Sequence, residues 1–481
     1  MPRTTRTSTD DIDDAADTDS PSPSPSPRPS PKRFRRGLLA TLAALAIACG
    51  TLGAASILQG PKLEGSQLDA AAAAGAPGQQ LRLVVNQAVA PVTSADVSVT
   101  PAVPFTVQSQ GSVIAITFRA ALDYATAYRV SVSHVSSPRG GASATLHAAI
   151  ATPAFGFDYL ARGTGTDRIL HATVGSPTRT VVYEAPGIQD FAPLDGAMVV
   201  VRDDGSGGSR IDIVQLHGGN VETLTLPDEG RVNAITVVGT DILYTFTSAK
   251  ADPIPQYDQT LFKVDLQAQH TSVPVDDLSG KPLVIDAWQP VPGTGSLLLH
   301  AVDESLLRYD PASPTPPVPF AYDPIMGGLS PDQKRVGTVD AFGPNSLDIS
   351  SGVSTPLNVA PVAGQVPYAD VPTPLDAGRT IVRLAIPHAG TFTAEIALNS
   401  TVAGVPTSKK LYAPGGPTPQ IHNYRLTSNG RYLVVEFEPD YLHSTPDGSS
   451  VNRQPTSITT DIVDVTTGAT VLEVAGFDGR W

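Results

Sequence analysis

The chain has 481 residues and a net charge of −14, and only 16% of its residues are charged, against 45 prolines and 42 glycines. The length allows more than one domain and an ample core, while the acidic balance argues against nucleic acid, which is held by clustered Lys and Arg. The single cysteine, Cys49, rules out an intrachain disulfide and any site built from several thiolates.

Residues 1–36 are of low complexity: an acidic patch (Asp10, Asp11, Asp13, Asp14, Asp17, Asp19), a Ser-Pro repeat over 20–27, then a basic stretch. Such a segment cannot bury a core, and a disordered cytoplasmic tail is expected. It reads as a solvated spacer or as a phosphorylatable, partner-binding tail.

Residues 37–58 form an apolar run without a charge, preceded by Lys32, Arg33, Arg35 and Arg36. As a helix the run is roughly 33 Å long, enough for a bilayer core of about 30 Å. The basic flank keeps the N-terminus inside. The expectation is a signal-anchor: a single-pass protein of the cell membrane, with everything after residue 58 extracellular. Cys49, between Ala48 and Gly50, also resembles a bacterial lipoprotein processing site, where it would be lipidated; the other reading is a small apolar residue in a spanning helix.

Residues 60–153 read as a small β-domain. Short strands are expected at 80–86, 97–100, 105–108, 113–118, 128–135 and 145–152, with turn residues between them, the pattern of a β-sandwich. Ile114, Ile116, Thr117 and Phe118, followed by Leu122, Tyr124, Thr126, Tyr128, Val130 and Val132, resemble the SbsA-type Ig-like domain of bacterial surface proteins. That resemblance implies a spacer or adhesion module and no catalytic residues.

Residues 154–481 carry a repeated tight turn followed by an apolar strand. The turns fall at 194–197, 238–241, 292–295, 330–333, 375–378 and 428–431, about 38 to 54 residues apart. Propeller blades repeat at about 40–50 residues, and turn, strand, hairpin is the logic of a four-stranded blade. Residues 157–185 supply three strands without a first one, so the C-terminal residues 476–481 are expected to complete that blade and close the ring. Ser330, Pro331 and Asp332, with Ser428, Asn429 and Gly430, resemble the Ser-Pro-Asp-Gly turn of TolB- and WD40-like propellers. The fold class expected is all-β: an Ig-like sandwich and a propeller of about seven blades after the tail and the membrane helix. An array of two-sheet sandwiches is the competing architecture.

No motif announces chemistry. Asp203 and Asp204 with Gly205 suggest a calcium loop, but they lack the spaced third carboxylate and sit where Asp-Gly makes a hairpin. The nine histidines are scattered singly, without metal-ligand spacing. There is no Gly-x-Ser-x-Gly elbow and no phosphate loop followed by a helix. No catalytic residue, metal ligand or cofactor is assigned. The candidate binding surface is Trp288, which would suit a sugar or peptide or else pack between blades, together with Glu438, Asp440, Tyr441 and His443 in a long insertion at 438–457. The function expected is a non-enzymatic, membrane-anchored binding or scaffold protein of the bacterial envelope, with an envelope protein or cell-wall glycan as partner. The alternative is an extracellular hydrolase or lyase with its site in the propeller's central depression.

Overall fold

The computed structural model describes residues 35–36, 38–47, 60–250, 254–388, 391–449 and 451–481. It forms two compact units, Met1–Gly60 and Pro61–Trp481. In the first unit, residues 35–47 are helical apart from residue 37, which is not described. Among the described residues no helix is long and apolar enough to cross a membrane. The transmembrane helix expected at 37–58 and the single-pass placement are corrected accordingly. Residues 48–59, including Cys49, and residues 1–34 of the disordered tail expected at 1–36 lie outside the described residues.

The second unit opens with seven strands in two sheets. Leu63–Gln67, Gln80–Val85, Val113–Phe118 and Phe105–Gln110 pair in that order, and Val97–Thr100, Ala127–Val135 and Ala144–Ala151 form the other sheet. Alternation explains the packing. Leu81, Leu83 and Val85 from one strand, and Ile114, Ile116 and Phe118 from its neighbour, all face one core shared with Tyr128, Val130 and Val132 of the opposite sheet. The helix Ala70–Gly75, which the sequence reading misses, is capped by Asp69, whose carboxylate accepts the Ala71 and Ala72 N–H groups at 3.0 and 2.9 Å.

Seven four-stranded antiparallel sheets follow. Blade two is Ile188–Leu194, Ala197–Asp203, Ser209–Gln215 and Val221–Leu224. Blades three to seven repeat that order, their first strands being Gly230–Val238, Ile285–Val291, Ile325–Leu329, Tyr368–Pro374 and Gln420–Leu426. Blade one is Gly156–Ala161, Asp167–Thr173 and Arg179–Ala185, and its first strand comes from the far end of the chain: Phe477–Arg480 pairs with Gly156–Ala161. Closing the ring with strands from both ends of the seven-blade segment leaves no open inner edge. The six turns singled out in the sequence each join the first strand of a blade to its second. Their residues suit the backbone: Gly196, Gly239, Gly293 and Gly430 sit at φ 69, 61, 75 and 72°.

The sandwich lies against that turn face. Asn429 Nδ2, in the blade-seven turn, donates to the Leu122 carbonyl at 3.0 Å. Tyr124 packs its ring on Phe155 and Tyr432, with centroids 5.1 and 6.0 Å away. At blade four, a Cβ on Gly293 would come within 2.9 Å of Ala76 Cβ and 3.2 Å of the Pro77 carbonyl. Blades four and seven are three steps apart in a ring of seven, so the sandwich reaches nearly across it. Beneath it the turns crowd together: the Gly430 position lies against Pro331, and Gln333 Nε2 donates to the Pro292 carbonyl at 2.7 Å. One face of the ring is therefore occupied, and the other is free within the unit.

Candidate functional site

The free face carries the hairpins between the second and third strands and the links into each first strand. The first strands share a device there. Each of blades two, three, four, six and seven has a bulge near the start of that strand, at Gln189, Asn233, Asp286, Val371 and His422. Blade five has a wider irregularity, at Gly327 and Gly328. A bulge re-aims a side chain out of the strand alternation. Here the re-aimed groups clip back onto their own blade. Gln189 Oε1 accepts from Ser209 Oγ at 2.5 Å, and Asn233 Nδ2 donates to Thr247 Oγ1 at 2.9 Å. Asp286 pairs with His300 Nδ1 at 2.5 Å, and His422 Nε2 lies 3.5 Å from Glu438. Two of the scattered histidines are thus pinning groups.

Where the ring closes, the first strands of blades one, two and seven and the second strand of blade seven bring five charged side chains together. Arg480 Nη2 lies 3.0 Å from Asp190 of blade two, and its Nε lies 2.9 Å from Asp478. Arg425 of blade seven donates to the Gly479 carbonyl, lies 3.8 Å from Glu436 and stands over the Trp481 ring at 5.1 Å. Glu436 in turn accepts the Asp478 N–H at 2.8 Å. Asp190 also accepts the Phe191 and Ile235 N–H groups, at 2.7 and 3.1 Å, which ties in blade three. Burial, abetted by the neighbouring Asp478 charge, pushes the Asp190 carboxyl up to about 8 despite Arg480. Against its own burial, Asp478 is held low by Arg480 and Arg425. Burial raises Glu436. The network buries charge at the seam and satisfies it from four blades, which is the work of a clasp.

The 438–457 insertion roofs this seam. Glu438 is buried at its root, and Ser457 Oγ donates to it at 3.4 Å. Asp440 accepts from Thr418 Oγ1 and pairs with His443 Nδ1 at 2.8 Å; these contacts hold its carboxyl below the usual range. Tyr441 and His443 are exposed. Further on, the buried Asp447 pairs with Arg162 Nε of blade one at 3.0 Å, and Asn452 Nδ2 donates to the Gln189 carbonyl of blade two at 3.3 Å. The insertion runs as a strap from blade seven over blades one and two. Of the residues expected to form the binding surface, the structure gathers Glu438, Asp440, Tyr441 and His443 and leaves Trp288 elsewhere. Trp288 is half-buried on the first strand of blade four, packed on the core of Leu243, Leu283 and Leu299.

Sequence reading missed the apolar rim of the same face. Phe342 is 99% exposed at the tip of a blade-five hairpin, and Tyr322 is 70% exposed at the link from blade four. On blade six, Tyr368 and Phe392 are 66% and 62% exposed and meet edge to face with centroids 5.8 Å apart. Ile325 and Val366 add to the patch. The signal was present: Phe342 stands between Asp340 and Gly343, in a turn that needs only polar and small residues. The rim is acidic too. Residues 302–306, 320–328, 338–344 and 366–372 contain Asp303, Glu304, Asp323, Asp340 and Asp370, and no Lys or Arg. Hydrogen bonds from Ser305 hold Asp303 below the usual carboxylate range. The suspected calcium loop is a hairpin turn, in which Asp204 Oδ1 accepts the Ser206 and Gly208 N–H groups at 2.7 and 3.0 Å.

No family model matches the chain, and no characterised protein matches its sequence. The resemblance to the SbsA-type Ig-like domain thus stays one of residues. Among solved structures, a periplasmic gluconolactonase of Pseudomonas aeruginosa is 12% identical and aligns over 68% of this chain and 99% of its own, with a TM-score of 0.39. TolB of Acinetobacter baumannii is 13% identical over 80% of this chain and 82% of its own (TM-score 0.33). A TolB of Agrobacterium tumefaciens is 13% identical over 68% and 90% (TM-score 0.30). The neighbours thus include TolB proteins, whose turn sequence residues 330–332 and 428–430 resemble. The seven-bladed ring rests on its own strand pairing, and these likenesses assign no activity.

Proposed function

We propose that this chain is a non-enzymatic binding platform that takes a macromolecular partner on the ring face away from the sandwich. The observation that carries the reading is the exposed rim of Tyr322, Phe342, Tyr368 and Phe392 on that face. Contiguous exposed apolar side chains with a polar border mark interaction sites, and large aromatic side chains dominate the energetics of interfaces. Asp286, His300, His422 and Glu438 are engaged in clips, and Asp190, Asp478 and Glu436 in the seam clasp, which supports binding over catalysis. Tyr441 and His443 extend the surface towards blade seven. Both partner classes expected from the sequence, an envelope protein and a cell-wall glycan, can use such rings. Nucleic acid is disfavoured by the acidic border.

The test is a photo-crosslinking residue placed at Phe342 or at Asp195, an exposed turn position on the sandwich side, in cells making the full chain. Mass spectrometry of the adducts reads the outcome. A reproducible adduct from position 342 and none from 195 is expected. Adducts from both positions alike, or from neither, would overturn the reading.

A further inference from the structure

The rim pairs two chemistries that one ligand class satisfies together. Phe342, Tyr368 and Phe392 offer ring faces and edges with little surrounding protein. Around them stand the exposed Asp303 and Glu304 at the blade-four hairpin and the half-exposed Asp340 and Asp370 beside blades five and six. Asp323, at the link between blades four and five, donates its N–H to the Glu304 carbonyl at 2.9 Å, which fixes the hairpin against the patch. Cations that occur near this end of the blades are already engaged: Arg383 pairs with Asp370 and donates to the Ile421 carbonyl at 3.0 Å. The other basic residues of blade five, Lys334 and Arg335, follow the opposite turn.

On this charge complementarity we propose that the rim of blades four to six docks a basic, extended polypeptide segment. This rests on the reading of the chain as a binding platform and names its partner. The guanidinium or ammonium groups would meet Asp303, Glu304 and Asp340, while their apolar stems and neighbouring proline rings lie on Phe342, Tyr368 and Phe392. Cations are attracted to aromatic faces, and a proline-rich chain reaches such a surface already extended, so little ordering is needed. An anionic lipid surface or a nucleic acid would meet the same carboxylates with the wrong sign. A neutral glycan would use the rings and leave the charges without a role.

The experiment measures fluorescence anisotropy of a labelled synthetic peptide of alternating arginine and proline, titrated with the full chain. The comparisons are a glutamate-proline peptide and vesicles of mixed neutral and anionic phospholipid. The basic peptide is expected to bind, and to weaken as salt rises past the point where the screening length is about 10 Å; the acidic peptide and the vesicles are expected not to bind. The combined substitution Phe342→Ala and Phe392→Ala should weaken binding roughly tenfold or more. The combined Asp303→Asn and Glu304→Gln change should weaken it and flatten the salt dependence. Asp195→Asn, on the other face, should change neither. All these side chains are exposed, so the folded state is kept. Equal binding of the acidic peptide, indifference to the rim substitutions, an equal effect of Asp195→Asn, or vesicle binding without peptide binding would each overturn the proposal. If position 342 still crosslinks a partner in cells while the basic peptide fails, the platform stands and the partner chemistry assigned here falls.

Discussion

Blades seven, one and two differ from blades five and six in what they do with their side chains. Around the seam, one core gathers ten buried residues from Leu160 to Phe477, and a second stacks Phe155, Phe157 and Tyr432 beside them. The core between blades four and five holds four buried residues, and so does the one on the blade-five side of blade six, while the other side of blade six adds Ile381, Ile396, Leu411 and Tyr412 to a larger core shared with blade seven. Between blades five and six the backbones close up instead: a Cβ on Gly337 would fall on the Pro372 carbonyl, and one on Gly328 on the Thr373 side chain. The reason lies in chain connectivity. Blades five and six are held to their neighbours by continuous chain, whereas blade one is joined to its innermost strand only by packing, pairing and charge. Side chains that turn inward at the seam are free to turn outward across the ring, and there they form the rim.

The sharpest way to break this comparison is to end the chain at Gly476. That removes the innermost strand of blade one, the fully buried Phe477 and the Arg480 contacts. Loss of a buried Phe side chain alone costs about 3–5 kcal/mol. Urea unfolding should shift strongly or lose its single transition, and an unchanged midpoint would refute the seam as the ring's weak point. Next comes Arg480→Met, which strands two carboxylates in the clasp. Breaking a buried pair on one side costs about 3–5 kcal/mol. Adding Asp190→Asn to that variant should restore part of the loss, and strict additivity of the two changes would show that they do not meet.

Across the ring, Gly337→Val tests whether close backbone approach really replaces side-chain packing in blades five and six. Overpacking at such a contact costs about 1–3 kcal/mol. A neutral result, by thermal unfolding, would mean that the two blades can separate without penalty. A smaller effect is the pH dependence of the seam. Because the folded-state pKa of Asp190 is raised, to about 8, the native state holds a proton that the unfolded chain has lost above about pH 4. Stability should therefore decline as pH rises from about 4 to about 8. Asp190→Asn should flatten that decline, and an identical pH profile in the variant would show that another group carries it.

Much of the ring was legible because its punctuation is chemical. Asp195 with Gly196, and Asn429 with Gly430, announce turns whatever surrounds them, and the absence of a first strand before residue 157 pointed to the C-terminus. What failed had no local signature. Strand Leu63–Gln67 lacks alternation and is recruited by its neighbour. The bulges at Gln189 and His422 come from pairing, which a single strand does not display. The membrane helix expected at 37–58 is set aside because, among the described residues, no helix is long and apolar enough to cross a membrane, which an apolar run in the sequence does not by itself decide. Within the candidate site, residues 440–443 stand out in the sequence through the length of their insertion. The signal of Phe342 lies in the turn it occupies and not in its residue type, by which tryptophan stands out first.

Phe342 also supplies the smallest and most discriminating expectation. If blades five and six turn their aromatic residues outward because the fold does not need them, Phe342→Ala should leave stability within about 0.5 kcal/mol of the parent chain. The same truncation at Phe477, three blades round the ring, should cost several times more, since that ring is fully buried in the seam core. Paired thermal melts of the two variants measure the contrast directly. Should Phe342→Ala destabilise the chain as much as Phe477→Ala, the rim would be part of the scaffold, and the division of labour between the two sectors would fail along with the binding surface drawn from it.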